Sequence, residues 1–206
     1  MKAEEFVSRL KDAATNYDTV YVMGCFGAPI TEKNLPRYID KYSYNRKNGR
    51  DQKLRELIGK GYFGFDCICL IKGILWGWTG DEKHEYGGAV YKSSGVDDIT
   101  LERMLDICTH VSDDFSSLLP GEYLFTDGHC GIYIGNGLAV EATPAFAGGV
   151  QLTAVSNMGK FDNYPSRKWQ KHGKLPYIEY PKEEEYIKIK KKDIIFLRDR
   201  LTDLLA

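Results

Sequence analysis

One stretch, residues 63–79 with the sequence FGFDCICLIKGILWGWT, organises the rest of the chain. From Cys67 onward its apolar residues recur at helical spacing, which predicts a largely buried helix. Asp66 is a favourable N-cap residue, so Cys67 is expected in the first helical turn. Unpaired N–H groups and the positive end of the helix dipole lower the pKa of a thiol at that position. Cys67 is therefore a candidate nucleophile, although a buried core thiol is the simpler interpretation.

The composition predicts a globular protein and excludes several functions. The chain has 206 residues, of which 43% are hydrophobic and 28% charged, enough for one ordinary domain with a full core. The formal net charge of −1 provides no basic field, so no nucleic-acid partner is expected. The five cysteines are odd in number and irregularly spaced, which argues against a disulfide framework.

Neither a membrane span nor an export signal is predicted. The sequence contains no apolar run of transmembrane length, so stable membrane insertion is not expected. Residues 1–10 are amphipathic and acidic, without the apolar core of a signal peptide. We therefore expect a protein that is cytoplasmic as synthesised and that needs another route if it acts outside the cell.

The order of the predicted elements indicates an α+β fold. Helices are expected over residues 3–14, 51–58 and 100–109 in addition to the Cys67 helix, and an extended piece over 19–29 contains a glycine-rich turn. Later runs rich in β-forming residues predict strands at 123–125, 130–134, 138–142, 150–155 and 175–180. Because helices precede sequential strands, we expect them to pack on a mostly antiparallel sheet.

Three polar segments separate or follow these elements. Residues 32–53 are polar, with an excess of positive charge from 41 to 53, which predicts a solvated loop or, alternatively, a flap that faces the substrate. Residues 80–98 are expected to form a long connection. Residues 182–206 are predicted to be a charged linker and a terminal amphipathic helix, which could dock on the domain formed by residues 1–181, mediate self-association or begin a further module.

His129 and Glu141 are the best candidates to activate Cys67. A cysteine nucleophile needs a base within hydrogen-bond reach and a third group that orients the base. A hairpin predicted at residues 135–137 folds the strand that carries Glu141 back beside the one that begins at His129, making the two residues cross-strand neighbours. Glu141 lies among apolar residues, where a carboxylate is unfavourable unless it is paired. An imidazole would satisfy it, although an exposed edge-strand carboxylate is the alternative.

These motifs resemble the NlpC/P60 cysteine peptidases, which are papain-like cell-wall hydrolases. The resemblance rests on Phe65-Asp-Cys67 at the start of an apolar helix, on Gly128-His-Cys-Gly-Ile-Tyr-Ile-Gly-Asn-Gly137, and on Glu141. The chain is also similar to the enzymatic domain of phage endolysins, over about residues 5–181. The resemblance implies an NlpC/P60 fold in which the nucleophile helix packs on the sheet.

The resemblance also implies an activity. Cys67 would be the nucleophile, His129 the base and Glu141 the orienting residue, while Tyr21 and Asp66 would bind substrate. The expected reaction is hydrolysis of an amide in the stem peptides of peptidoglycan through a thioacyl-enzyme, without a metal or another cofactor. Peptidoglycan would be the partner, reached after release through a holin-type route.

The sequence departs from the family at the residues that follow the nucleophile. Ile68 and Cys69 stand where the family has Ser-Gly near the acyl side of the substrate, which leaves the substrate class open. An acyltransferase or deamidase acting on a non-wall amide is therefore an alternative, and a non-catalytic binding domain is another. A metal site is a further hypothesis, with Cys67, Cys69, His129 and Cys130 as ligands, but their spacing is unlike that of structural zinc sites.

Overall fold

Residues 1–182 are described by a computed structural model, and within them the α-helices all lie before residue 107, among three short strands, while seven further strands follow. The α-helices are α1 (Ala3–Thr15), α2 (Leu35–Lys41), α3 (Arg50–Arg55), α4 (Cys67–Leu75) and α5 (Leu101–Asp106). The strands are β1 (Thr19–Tyr21), β2 (Phe26–Pro29), β3 (Phe63–Phe65), β4 (Thr109–Ser112), β5 (Tyr123–Thr126), β6 (His129–Gly135), β7 (Leu138–Thr143), β8 (Gly149–Val155), β9 (Ser166–Arg167) and β10 (Lys171–Lys174). The predicted α+β class is confirmed.

Within the described residues the strands form two sheets. The larger sheet has the order β4-β10-β5-β6-β7-β8-β9, and all of its neighbouring strands are antiparallel except β8 and β9. The smaller sheet has the order β1-β3-β2 and contains one parallel pair, β1 and β3. The mostly antiparallel sheet predicted from the sequence is therefore confirmed for the larger sheet.

Helix α4 lies at the centre of the core, as its sequence predicts. Every residue from Cys67 to Leu75 is buried, and the helix packs against β2, β6 and β7. Gly73 is needed at the contact with β2, because a Cβ atom there would lie 2.7 Å from the carbonyl oxygen of Phe26. Helix α4 thus lies between the smaller sheet and the larger one.

The structure of residues 32–53 differs from the sequence-based prediction. This segment was expected to be a solvated loop, but it forms α2, a 3-10 segment (Ser43–Gly49) and the start of α3. Leu35, Tyr38 and Ile39 are buried in a second core cluster with Leu54. These apolar positions have helical spacing, which the many charged neighbours concealed.

The prediction of a strand at residues 175–180 is also wrong. The last strand is β10, which ends at Lys174, and residues 175–180 form mainly a turn. Leu175 and Ile178 are buried because the turn packs on the main core. The Tyr180 hydroxyl fixes the turn by accepting from the backbone N–H of Leu175 and donating to the carbonyl of Gly121.

Two other expectations concern the C-terminal segment and the possibility of a membrane-spanning helix. The predicted linker and terminal helix over 182–206 lie outside the described residues, apart from residue 182. Among residues 1–182, no helix has the length and apolar character needed to cross a membrane.

Candidate active site

The start of α4 holds Cys67 in a fixed position. Asp66 caps the helix by accepting a hydrogen bond from the backbone N–H of Cys69 at 2.7 Å, as predicted. Its second carboxylate oxygen accepts from the N–H of Gly24 at 2.6 Å, which ties the glycine-rich turn to the helix. Burial, followed by the neighbouring Cys67 charge, raises the pKa of Asp66 to about 6. Cys67 itself is only 5% exposed.

His129 and Glu141 meet, as predicted, and the contact is short. His129 Nε2 lies 2.5 Å from Glu141 Oε2, and the Glu141 side chain is completely buried. Nε2 is hydrogen-bonded to Glu141. The hydrogen bond between His129 and Cys67 therefore involves the other ring nitrogen, Nδ1. The three side chains therefore form one connected chain of hydrogen bonds.

The route by which His129 and Glu141 meet differs from the prediction. Direct cross-strand pairing was expected, but β6 and β7 pair Ile132 with Val140 and Tyr133 with Ala139. Continuing this register places Glu141 opposite Gly131, so His129 and Glu141 are diagonal neighbours. The hairpin turns at Asn136-Gly137, where both residues have positive φ, and a register shift precedes it.

Arg167 was not identified from the sequence, and it completes the polar chain. Its Nε donates to both carboxylate oxygens of Glu141, at 2.9 and 2.8 Å, and its Nη2 reaches Thr143. The residue belongs to β9, which lies two strands away from β7, the strand that carries Glu141. An isolated arginine in a polar segment gives no sequence signal of this role.

Trp169 holds the histidine ring from one side and was also missed. The two rings are nearly parallel, with centroids 5.7 Å apart. The Trp169 backbone is fixed by two hydrogen bonds to the Asn157 side chain. Gly131 leaves room for this packing, since a Cβ atom there would lie 3.0 Å from the Trp169 ring.

The charges of the site reinforce one another. Hydrogen bonds from Cys130 and His129 lower the pKa of Cys67 to about 5, against the opposing effect of burial. Burial lowers the pKa of His129, but hydrogen bonds with Cys67 and Glu141 outweigh it and leave this pKa raised. Burial raises the pKa of Glu141, but His129 and Arg167 outweigh it and leave this pKa lowered. The lowered pKa values of Cys67 and Glu141 favour their anions and the raised pKa of His129 favours its cation, so the three shifts support one another.

Cys130 is a second thiol next to Cys67. It is completely buried, and burial followed by its hydrogen bond with Cys67 raises its pKa well above the usual value. The raised pKa keeps Cys130 protonated, so that its S–H is available as a donor towards Cys67. In the sequence Cys130 stands out only as a candidate metal ligand, and no local pattern signals its proximity to Cys67. Among residues 1–182, no three His, Cys, Asp or Glu side chains are placed to hold a metal ion.

Tyr21 lies next to the nucleophile, as the resemblance implied. It ends β1 and is 6% exposed. Burial, followed by the Cys67 and Asp66 charges, raises the pKa of its phenol, which keeps the hydroxyl neutral. A neutral hydroxyl beside a thiolate can donate a hydrogen bond to a bound substrate.

A cavity of about 560 Å³ opens beside the first turn of α4. Asp66, Ile68 and Cys69 form part of its wall, so the two residues that directly follow Cys67 border this space. Most of the remaining wall is aromatic or cationic, from Phe26, Arg37, Tyr38, Lys41, Tyr42, Lys72, Tyr86 and Tyr91. The substrate-binding role predicted for Asp66 is compatible with this position, although its carboxylate already caps α4.

The other histidines do not belong to the site. His172 is buried, with Nδ1 2.5 Å from Glu122 Oε2 and Nε2 2.9 Å from the carbonyl oxygen of Asp114. His84 and His110 are exposed. His129 is thus the histidine that the fold brings to Cys67.

No protein-family model and no curated protein matches this sequence. Among solved structures, NlpC1 and NlpC2 from Trichomonas vaginalis are similar to it, at 16% and 15% sequence identity and a TM-score of 0.39 each. The matches cover 84% of this chain but 44% and 46% of the solved chains, so this chain spans less than half of their length. Both solved proteins are named NlpC, and the motifs of this sequence resemble the NlpC/P60 family. Similarity at this level establishes neither family nor activity.

Proposed function

We propose that this protein is a cysteine peptidase or amidase that hydrolyses an amide through a thioacyl-enzyme. The observation that carries the proposal is the Cys67–His129–Glu141 chain, in which His129 Nε2 lies 2.5 Å from Glu141 and the pKa of Cys67 is lowered to about 5. A nucleophile, a base and an orienting carboxylate in hydrogen-bond contact are the parts that such catalysis requires.

The first half of the reaction uses the thiolate and the imidazolium. The Cys67 sulfur attacks the amide carbonyl carbon and forms a C–S bond, while the carbonyl oxygen becomes an oxyanion. The N–H groups of the first turn of α4 have no acceptors within the helix, and that of Cys67 is suited to bind this oxyanion. His129 then gives its Nδ1 proton to the amine nitrogen as the C–N bond breaks, leaving a thioester and a neutral imidazole.

The second half regenerates the enzyme. The neutral His129 accepts a proton from a water molecule, whose oxygen attacks the thioester carbonyl. The C–S bond breaks, the carboxylic acid product leaves, and the thiolate–imidazolium pair is restored. Glu141 and Arg167 do not exchange protons with the substrate, since they hold and polarise the imidazole ring.

The substrate proposed is an amide in the stem peptides of peptidoglycan, on the basis of the sequence motifs that resemble the NlpC/P60 enzymes. It follows that the protein would act on the cell wall after leaving the cytoplasm. The aromatic and cationic cavity beside Ile68 and Cys69 supports a polar peptide rather than an apolar ligand.

Digestion of purified peptidoglycan tests this proposal directly. Wild type and Cys67→Ala would be compared, and the products identified by mass spectrometry. New amine and carboxyl ends that appear only with wild type would support the proposal and identify the bond. Cys108→Ala is the matched control, because Cys108 is partly buried and hydrogen-bonds to Met104 instead of to the site.

The outcomes separate substrate from mechanism. If peptidoglycan stays intact while iodoacetamide rapidly alkylates Cys67 near neutral pH, the substrate assignment is wrong and other amides, including acyl-transfer and deamidation substrates, should be assayed. If Cys67 is inert as well, the catalytic proposal fails and Cys67 is a buried core thiol.

A further inference from the structure

A second cavity, of about 480 Å³, lies beside the proposed site and has a strongly basic wall. Lys47, Arg50 and Lys53 line it together with Tyr44 and Asn48, and the β7–β8 connection contributes Pro144 and Ala145. No acidic side chain lines this cavity in the described part of the chain. Three cations around a small concave space favour an anionic ligand.

Arg50 is the most firmly held of these cations. Its Nη2 donates to the carbonyl oxygen of Tyr21 at 2.7 Å, and its guanidinium lies over the rings of Tyr44 and Tyr21, at 4.8 and 5.7 Å. Within residues 1–182 it forms no ion pair with a carboxylate, and its Nε is buried without a hydrogen-bond partner. The charge is therefore fixed in place and uncompensated.

The cavity is connected to the catalytic chain on both sides. Tyr44 packs edge-on against Tyr21, the phenol that neighbours Cys67, with ring centroids 5.9 Å apart. On the other side, Pro144 and Ala145 directly follow β7, the strand that carries Glu141. A substrate whose amide lies at Cys67 would therefore extend along Tyr21 towards Arg50.

We propose that Arg50, with Lys47 and Lys53, forms a carboxylate-binding subsite, and that the preferred substrates are peptide amides with a carboxylate near the scissile bond. This inference deepens the proposed function and rests on it. A carboxylate is the expected anion because peptides supply it and because the planar guanidinium matches its geometry. The aromatic rings of Tyr21 and Tyr44 fix the orientation of that guanidinium before the substrate binds.

A pair of thiol-directed peptide reagents tests the subsite without knowledge of the natural substrate. Chloroacetyl-glutamyl amide and chloroacetyl-glutaminyl amide differ only in a carboxylate against a neutral carboxamide. In both, the Cys67 thiolate displaces chloride from the methylene carbon, forming a C–S bond. Each rate is divided by the rate of the same reagent with free N-acetylcysteine, so that intrinsic reactivity cancels.

We expect wild type to favour the glutamyl reagent by about fivefold, the upper range for a partly exposed ion pair. Arg50→Gln should reduce this ratio to near one, and Arg50→Lys should retain part of it. Lys11→Gln, which removes an exposed cation from α1, is the matched control and should leave the ratio unchanged. High salt should lower the wild-type ratio, since it screens exposed charges.

The possible failures are distinguishable. A wild-type ratio near one, or an equal ratio in Arg50→Gln, would overturn the subsite while rapid alkylation by iodoacetamide still supports the catalytic thiolate. Inertness of Cys67 to iodoacetamide would overturn the proposed function and the subsite with it. If Arg50→Gln does not fold, the Lys47→Gln/Lys53→Gln double variant keeps the Tyr21 contact and should still lower the ratio; an unchanged ratio there would contradict the proposal.

Discussion

At the scale of single residues, the low pKa of Cys67, the proposed nucleophile, depends on a neighbour that is itself a cysteine. The Cys130 S–H is the largest influence lowering the pKa of Cys67, followed by His129. A thiolate that receives hydrogen bonds from two donors is stabilised relative to the thiol. Cys67 should consequently become reactive as the pH rises through about 5, well below the usual range for a cysteine.

Replacement of Cys130 by alanine should therefore shift the alkylation profile. We expect the midpoint of the iodoacetamide rate against pH to move upward in Cys130→Ala, because the thiolate loses a donor, and to move upward also in His129→Ala. Cys108→Ala is expected to keep the wild-type midpoint. An unchanged midpoint in Cys130→Ala would show that Cys130 fills space without supporting the thiolate.

Arg167 should act on the same site through Glu141. Removing the guanidinium in Arg167→Gln leaves the buried carboxylate with His129 alone, so the pKa of Glu141 should rise. A protonated Glu141 no longer stabilises the imidazolium, and the acid limb of the turnover profile should move to higher pH. Arg167→Lys restores a positive charge and should reverse part of the shift. A fall in activity without any movement of the acid limb would point to a purely structural role.

The residue scale also shows what the sequence can reveal. Cys67, His129 and Glu141 were found because a helix start and a hairpin place them within short, recognisable patterns. Arg167 and Trp169 were missed because their contacts with the site come from separate, later segments, and neither residue type is unusual where it stands. The hydrogen bond between Cys130 and Cys67 depends on how α4 docks on β6, which no local pattern specifies.

At the scale of elements, two helix caps offer a matched comparison. Asp66 caps α4 and also accepts from Gly24, whereas Thr100 caps α5 by accepting from Arg103. Each replacement by alanine should reduce the free energy of unfolding by about 1 kcal/mol, and Asp66→Ala by more because a second buried N–H loses its acceptor. Urea unfolding measures both effects.

The two caps should differ in their effect on reactivity. Asp66→Ala loosens the turn that presents Cys67, so its alkylation by iodoacetamide is expected to slow, and Asp66→Asn should recover part of both properties by supplying an acceptor oxygen. Thr100→Ala should destabilise the protein with no change in the alkylation rate. Equal loss of reactivity in both alanine variants would mean that global stability, rather than the cap, controls the thiolate.

Elements were predictable where one pattern dominated. The Cys67 helix combines a cap with a continuous apolar face, and it was placed correctly. The segment 32–53 combines helical apolar spacing with many charges, and the charges led to the incorrect prediction of a loop. Strand β3 is not predicted because Gly64, a poor strand former, interrupts its short apolar run; glycine is required there by the close approach of Cys25, whose sulfur would lie 2.9 Å from a Cβ atom.

At the scale of the whole molecule, a buried ion pair away from the site should make stability depend on pH. Burial lowers the pKa of His172, but its hydrogen bonds with Glu122 and Asp114 outweigh it and leave this pKa raised above 6.5. The folded state therefore binds this proton more tightly than the unfolded state does. The resulting stabilisation is complete below about pH 6.5 and is lost as the pH rises through the folded-state pKa.

Urea unfolding at about pH 6 and about pH 9 checks this expectation. The loss of stability between the two conditions should be smaller in His172→Gln than in wild type. His110→Gln is the control, because His110 is exposed. An identical pH dependence in wild type and His172→Gln would contradict the argument.

The docking of the two sheets also sets the order in which the site can assemble. The Cys67 helix comes early in the chain, the His129–Glu141 hairpin follows, and Arg167 and Trp169 come last. The hairpin closes a short loop, whereas contact between Cys67 and His129 must close one of about sixty residues, which is a slower event. During ribosomal synthesis the thiol is exposed well before its partners exist. A nascent or truncated chain therefore carries an ordinary thiol, and nucleophilic reactivity arises only once the final strands have been translated and docked.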